Sequence, residues 1–140
     1  MTIDDKDEKI LSQLKENSRK SIRDIARATD IRPSTVHQRI KKLEEREVIE
    51  KFTVKLNNKQ IGEDFIVFML VTSDQKIDDK ILQDKHVKQV FGVTGEYDLI
   101  FKLKFSDIEA FNNYLLKFRE ETGIKKTITM VSTITLKEEI

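Results

Sequence analysis

Residues 21–49 read SIRDIARATDIRPSTVHQRIKKLEEREVI, and this stretch decides the fold of the N-terminal part of the chain. Val36, Ile40 and Leu43 recur at i, i+4 and i+7, the spacing of one buried stripe along a helix. At about 100° per residue, Ser34, Gln38, Lys41 and Lys42 point to the opposite side, with Thr35 and Arg39 on the flanks. Upstream, Ser21 has the chemistry of a helix N-cap, and Asp24 three positions later is a capping-box-like partner. Ile22, Ile25 and Ala26 then face inward, and the small Ala26 allows a close helix crossing. Thr29, Asp30, Ile31 and Arg32 form the turn between the two helices, and Pro33 suits the first position of the second. Arg32 is not a preferred cap and is instead placed to meet a phosphate. The pattern is a helix-turn-helix whose outer face mixes hydrogen-bonding and cationic groups. A helix laid in a DNA major groove needs both, because polar side chains read base edges and cations hold phosphates. Ser34, Thr35, Gln38 and Arg39 are the candidate contacts to base edges or adjacent phosphates, with Lys41 and Lys42 as phosphate neutralisers.

Charge is concentrated in the same place. The chain of 140 residues carries a formal net charge of only +1. Between Arg19 and Leu43, however, seven cations besides Lys20 face only Asp24 and Asp30, whereas from Ile61 onward 14 acids outnumber 11 bases. That asymmetry places positive potential where phosphate would lie.

A hydrophobic content of 38% suffices for a modest core that a second subunit could complete. With no cysteine in the chain, disulfides, thiolate metal sites and a cysteine nucleophile are excluded. Residues 65–71 are the longest apolar run, far short of a bilayer span, and MTIDDKDEKI is acidic with no apolar signal core. The expectation is a soluble, cytoplasmic protein.

Working outward, a first helix is expected from about Asp4 to Glu16, with Ile10, Leu11 and Leu14 inward and Asp4, Asp5, Asp7 and Glu8 favouring its N-terminus. Beyond the helix-turn-helix, residues 51–56 (KFTVKL) alternate apolar and polar, which predicts a half-buried strand. Asn57 and Asn58 break it. The expected organisation is a DNA-binding domain over 1–49, a linker with a strand over 50–63, and a second domain over 64–140.

The second domain alternates strand and helix. Strands are expected at 65–72, 87–93, 97–105 and 126–136, with a short helix carrying Ile77, Ile81 and Leu82 after the first. Ser106, Asp107, Ile108 and Glu109 read as a capping box opening a helix that buries Ile108, Phe111, Leu115 and Phe118, and Gly123 ends it. The order βαββαβ predicts a ferredoxin-like sandwich with helices on one sheet face. The other face is left bare unless a second copy packs on it, so a homodimer is expected. The fold class is α+β: a winged-type helix-turn-helix followed by a βαββαβ ferredoxin-like domain.

This arrangement resembles the Lrp/AsnC (feast/famine) family of transcription regulators over essentially the full length. Ile3, Asp4, Asp7, Ile10, Leu11 and Leu14 are similar to the family's opening, and Val36, Arg39, Ile40, Leu43 and Glu44 to its recognition helix. Val48-Ile49 followed by Phe52-Thr53 resembles its linker strand. Gly92, Gly95, Glu96, Tyr97 and Asp98 match the glycine-rich hairpin that borders its effector site. Where the family usually has glycine, this chain has Asp30 in the turn and Glu47 before Val48-Ile49; aspartate tolerates a left-handed backbone, glutamate less so.

The resemblance implies homodimers that assemble further, perhaps to octamers, on paired half-sites, with an amino acid docking between subunits. Carried onto this sequence, the effector residues are Gly92, Thr94, Gly95, Glu96, Tyr97 and Asp98, with Met130, Ser132 and Thr133 on the last strand. Asp98 or Glu96 would meet the ammonium, and backbone N–H groups left open by the glycines the carboxylate. The competing account is a plain tight hairpin in which Asp98 satisfies local N–H groups.

No phosphate-binding glycine loop and no HExxH occurs, and the two histidines, His37 and His86, lie in different expected domains. No catalytic residue, metal ligand or cofactor is expected. The alternatives are an architectural DNA-binding protein without effector, and a sirohaem decarboxylase-like enzyme, since some of those resemble this family.

Overall fold

The computed structural model describes residues 2–140, and the chain divides into two units, one ending at Lys55 and the other spanning Leu56–Ile140. In the first, α1 (Asp5–Glu16) begins with a reciprocal cap. The Asp4 side chain accepts the Asp7 N–H at 2.9 Å, and the Asp7 side chain accepts the Asp4 N–H at 3.3 Å. The sequence reading credited these acids only with favouring the helix dipole. Next come α2 (Ile22–Thr29), capped by Ser21 on the Asp24 N–H, and α3 (Pro33–Glu45). Asp30 ends α2 in the left-handed conformation, at φ 56°. As the missing cap predicted, α3 starts at Arg32 with no side-chain cap, and Pro33 opens it. Its exit is a Schellman motif in which the Val48 N–H reaches the Leu43 carbonyl at 2.9 Å and the Glu47 N–H the Glu44 carbonyl at 3.0 Å. Glu47 adopts φ 57° there, the left-handed position where glycine is most at ease.

Ile10, Ile25, Ala26, Ile31 and Val36 form the core of this unit, with Leu14, Ile22 and Ile40 packed against it and Leu43 buried. One expectation fails. Residues 51–56 form no strand, and Phe52, Val54 and Leu56 stay exposed. Alternation makes a strand only where another strand offers its edge, and none does here. The segment is anchored instead at Thr53, whose carbonyl accepts the Ser18 hydroxyl.

The second unit is built on β1 (Phe65–Val71), β2 (Val87–Gly92), β3 (Leu99–Phe105) and β4 (Thr127–Val131), paired antiparallel in the order β2-β3-β1-β4. The last strand stops five residues before the expected 136. Between strands lie α4 (Asp79–Leu82) and α5 (Ile108–Thr122), the latter ended by left-handed Gly123. Val67, Met69 and Val71 pair with Leu103, Phe101 and Leu99 on the helix-covered face, against Phe111, Tyr114 and Phe118 of α5. Burying one such phenylalanine contributes about 1.5–3 kcal/mol.

Two details of α5 differ from the sequence reading. Its N-cap is Asp107, which accepts the Ala110 N–H at 2.8 Å, rather than Ser106. Ile108, at the first helical position, is 60% exposed and Leu115 is half-buried, while Tyr114 is buried between Phe111 and Phe118. The Tyr114 hydroxyl is buried without a partner, and burial, aided by the charges of Asp84 and Glu121, raises its pKa.

The opposite sheet face carries Phe68, Leu70, Ile100, Ile128 and Met130, with Phe91 beside Ile100. Three of these, Phe91, Ile128 and Met130, are exposed. Alongside them Glu138 bridges Lys102 and Lys104, the latter at 2.9 Å, and accepts from the Asn58 amide at 2.9 Å. These hydrogen bonds, Lys102 foremost, hold its carboxyl down to about 2.

Candidate DNA interface and effector end

On α3, the burial of Val36 and Leu43 turns Ser34, Gln38, Lys41 and Lys42 outward, and all four are exposed, as is Arg32. Thr35 is half-buried. This is a continuous polar and cationic face 13 residues long at most, the length of α3. His37 is exposed on the same helix.

Arg39, expected at base edges or adjacent phosphates, is engaged within the unit. Its Nη1 donates to Asp4 Oδ2 and, at 3.2 Å, to Asp7 Oδ1, and its side chain is 28% exposed. The guanidinium therefore points along the protein toward α1. The hydrogen bond from Arg39, with that from the Asp7 N–H, holds the Asp4 carboxyl down to about 2, and the two carboxylates raise the Arg39 pKa in turn. Asp7 is the buried charged residue of the unit, 8% exposed, and sequence reasoning gave it no partner. The signal was available: Arg39 sits about 65° from the centre of the buried stripe, not opposite it.

In the second unit, β1, β3 and β4 bring their Val71, Leu99 and Thr127 ends together. The 93–98 turn closes there: the Val93 N–H bonds to the Asp98 carbonyl at 2.9 Å, and the Asp98 N–H to the Val71 carbonyl at 3.0 Å. Asp98 Oδ2 accepts the Ser73 N–H at 2.8 Å, so this carboxylate does serve a local N–H group. Gly95 needs its flexibility, at φ 111°; Gly92 does not, since its φ is ordinary and an added Cβ would find only the Asp98 carbonyl, at 4.0 Å. Lys126 reaches Glu96 at 3.6 Å and lies 5.6 Å from the Tyr97 ring centre. Thr94 is exposed on the turn.

Met130, Ser132 and Thr133 are not part of this end within one chain. Met130 pairs with Phe68, and the Ser132 N–H bonds to the Ile66 carbonyl, toward the far end of β1. A groove of about 440 Å³ does lie at the near end, lined by Thr72, Ser73, Gln75, Thr122, Lys125 and Lys126. The Thr72 hydroxyl there is buried with no partner. Sequence reasoning named none of these lining residues, because they come from two loops about 50 positions apart.

Among the described residues no group of acids and histidines has metal-site geometry, and no helix is long and apolar enough to cross a membrane. His86 stacks on Phe105 at 4.7 Å and contacts Asp84 at 3.0 Å, a packed position.

A three-helix module with a polar, cationic helix face, joined to an antiparallel βαββαβ unit, defines a DNA-binding regulator with a ligand-binding module. Known proteins agree. Residues 3–50 match the model of a winged helix-turn-helix DNA-binding domain, and residues 66–140 that of the Lrp/AsnC ligand-binding domain. An uncharacterized HTH-type transcriptional regulator of Pyrococcus furiosus is 41% identical, over 99% of this chain and 97% of its own length. The fold is that of an AsnC family transcriptional regulator from Agrobacterium tumefaciens, with a TM-score of 0.90 at 21% identity over 97% of this chain and 94% of that one. It is also that of a transcriptional regulator of Neisseria meningitidis solved as an L-Met complex, with a TM-score of 0.88 at 23% identity over 99% and 94%. The chain belongs to the Lrp/AsnC family of transcriptional regulators.

Proposed function

We propose that this regulator binds specific DNA sites as a cytoplasmic homo-oligomer, with α3 in the major groove, and that an amino acid or a similar small molecule tunes it. The observation that carries the reading is the exposed face of α3, with Ser34, Gln38, Lys41 and Lys42 opposite its buried stripe. Gln38 and Ser34 have the donors and acceptors that base edges demand; Arg32, Lys41 and Lys42 supply phosphate charge, and Thr35 completes the N-terminal turn.

The homo-oligomer is supported by the bare sheet face around Phe68, Phe91 and Met130, whose exposure in a single chain favours association with a second copy. The effector is supported by the match to a ligand-binding domain, by the L-Met complex of the Neisseria regulator, and by the groove beside the hairpin. Gly92, Thr94, Gly95, Glu96, Tyr97 and Asp98 would line the site from one copy, and Met130, Ser132 and Thr133 from another. Asp98 already holds the Ser73 N–H, so an ammonium would share that carboxylate.

The test is a titration of the full chain against the DNA upstream of its own gene and against scrambled DNA, at two salt concentrations, with and without an amino-acid mixture. A preference for the natural sequence that shifts with one amino acid supports the whole reading. Equal affinity for scrambled DNA, with a steep salt dependence, would replace it with an architectural role. Lys41→Ala is expected to flatten the log–log salt slope by about 0.9, the loss of one phosphate contact.

A further inference from the structure

We propose that Arg39, although it lies on the recognition helix, is not a DNA contact but the positioning residue that fixes the rotation of α3, through a guanidinium held by the two carboxylates that cap α1. The inference rests on the DNA-binding reading of α3 given above.

The geometry is a shared relay. Each carboxylate uses one oxygen on the backbone of α1 and the other on Arg39. Asp4 Oδ1 accepts the Asp7 N–H at 2.9 Å while its Oδ2 accepts from Arg39. Asp7 Oδ2 accepts the Asp4 N–H at 3.3 Å while its Oδ1 accepts from Arg39 at 3.2 Å. The cap therefore aims both free oxygens at one place, and Arg39 is bound from both sides. Asp7 is 8% exposed, so removing Arg39 would leave a buried carboxylate without its cation.

Arg39 also stands at the angle where a tether controls rotation. The Val36–Ile40–Leu43 stripe sets how deep α3 lies, but a stripe of aliphatic side chains tolerates some roll. A tie on the flank, to a different helix, does not. At the side-chain radius of an α-helix, about 5–6 Å, a roll of about 20° moves an outer group by about 2 Å. Hydrogen bonds to base edges do not survive that displacement, because their useful range is about 2.7–3.2 Å.

The rival possibility is that Arg39 is a DNA contact parked on Asp4 and Asp7 in the free protein, and the two make opposite predictions. If Arg39 were parked, Asp7→Asn would leave the guanidinium held by Asp4 alone, remove a negative charge near DNA, and strengthen binding. If Arg39 positions the helix, Asp7→Asn weakens binding although it removes an acid.

The experiment is fluorescence anisotropy of the full chain on its preferred DNA and on scrambled DNA across a salt series, for wild type, Arg39→Met, Arg39→Lys and Asp7→Asn. Circular dichroism confirms folding at the assay temperature. The expected result is a loss of at least tenfold in specific affinity for Arg39→Met and a smaller loss for Asp7→Asn. The salt slope stays unchanged in both, and the preference over scrambled DNA falls. Arg39→Lys, which keeps the charge, recovers part of the affinity. Should Arg39→Met be unfolded, Asp7→Asn and Arg39→Lys decide by the same criteria. Equal or tighter binding by Asp7→Asn, or a slope flattened by about 0.9 in Arg39→Met, would overturn the proposal. Failure of the wild type to prefer any DNA would remove the underlying reading, and this inference with it.

Discussion

In the N-terminal unit three helices turn Ile10, Ile25 and Val36 toward one another and leave polar side chains outside, whereas in the C-terminal unit the sheet is covered on one face only. There Val67, Met69, Phe101 and Leu103 are wholly buried under α5, yet Phe91 on the reverse is 57% exposed. The first unit therefore presents its candidate site complete, on one helix of one chain. The second is more open: a groove with an unpartnered Thr72 hydroxyl, and candidate residues spread from the 93–98 turn to beyond the far end of β4. A polar helix face is complete in water by itself, whereas an apolar sheet face left in water is not.

Three changes would break or sharpen this contrast. The largest effect is expected from Phe68→Asp, on the open face and outside the core. A carboxylate at a buried contact costs several kcal/mol, so self-association should weaken at least about a hundredfold, measured by sedimentation, with the fold retained. Unchanged association would show that this face is not the contact between copies.

A smaller effect is expected in the self-contained unit. Glu47 holds a left-handed backbone at φ 57° where glycine carries no such strain, so Glu47→Gly should stabilise the unit by about 1 kcal/mol in denaturant titration. A destabilised variant would mean that the glutamate side chain contributes more than its backbone loses.

The smallest is a pH effect. Glu138 has its folded pKa depressed to about 2 from an ordinary 4.5 by Lys102, Asn58 and Lys104. Its stabilisation is thus present above about pH 4.5 and is lost as pH falls toward 2. Glu138→Gln should remove that part of the acid sensitivity and leave the rest; an identical acid profile would show that the carboxylate is not ion-paired in solution.

Much of this was legible in the sequence, and the exceptions share a cause. The stripe Val36, Ile40 and Leu43, the turn at Asp30 and the alternation through 99–105 were readable because each is decided by neighbours within a few residues. The Arg39 ion pairs were not legible because its partners are 32 and 35 positions away, and its flank angle alone did not name them. Residues 51–56 carry a strand pattern whose pairing edge the chain itself does not offer. In α5 two adjacent acceptors, Ser106 and Asp107, could each start the helix, and its buried stripe runs through Phe111, Tyr114 and Phe118, a turn of the helix that spacing alone did not separate from one through Ile108 and Leu115. The groove residues were invisible because Thr72 and Lys126 meet only once the sheet has formed.

The two ends of α3 carry a consequence of a different kind. It begins at Arg32 with no side-chain cap, and the Schellman turn that ends it carries Glu47 rather than glycine at its left-handed position, so neither terminus fixes the helix against the rest of the unit. Its middle does, through Val36, Leu43 and the tie to Asp4 and Asp7. Unwinding α3 locally would expose that core and strand the α1 cap together. The amide protons in the middle of α3 should therefore exchange with the opening of the whole three-helix unit, while those of its uncapped first turn exchange sooner.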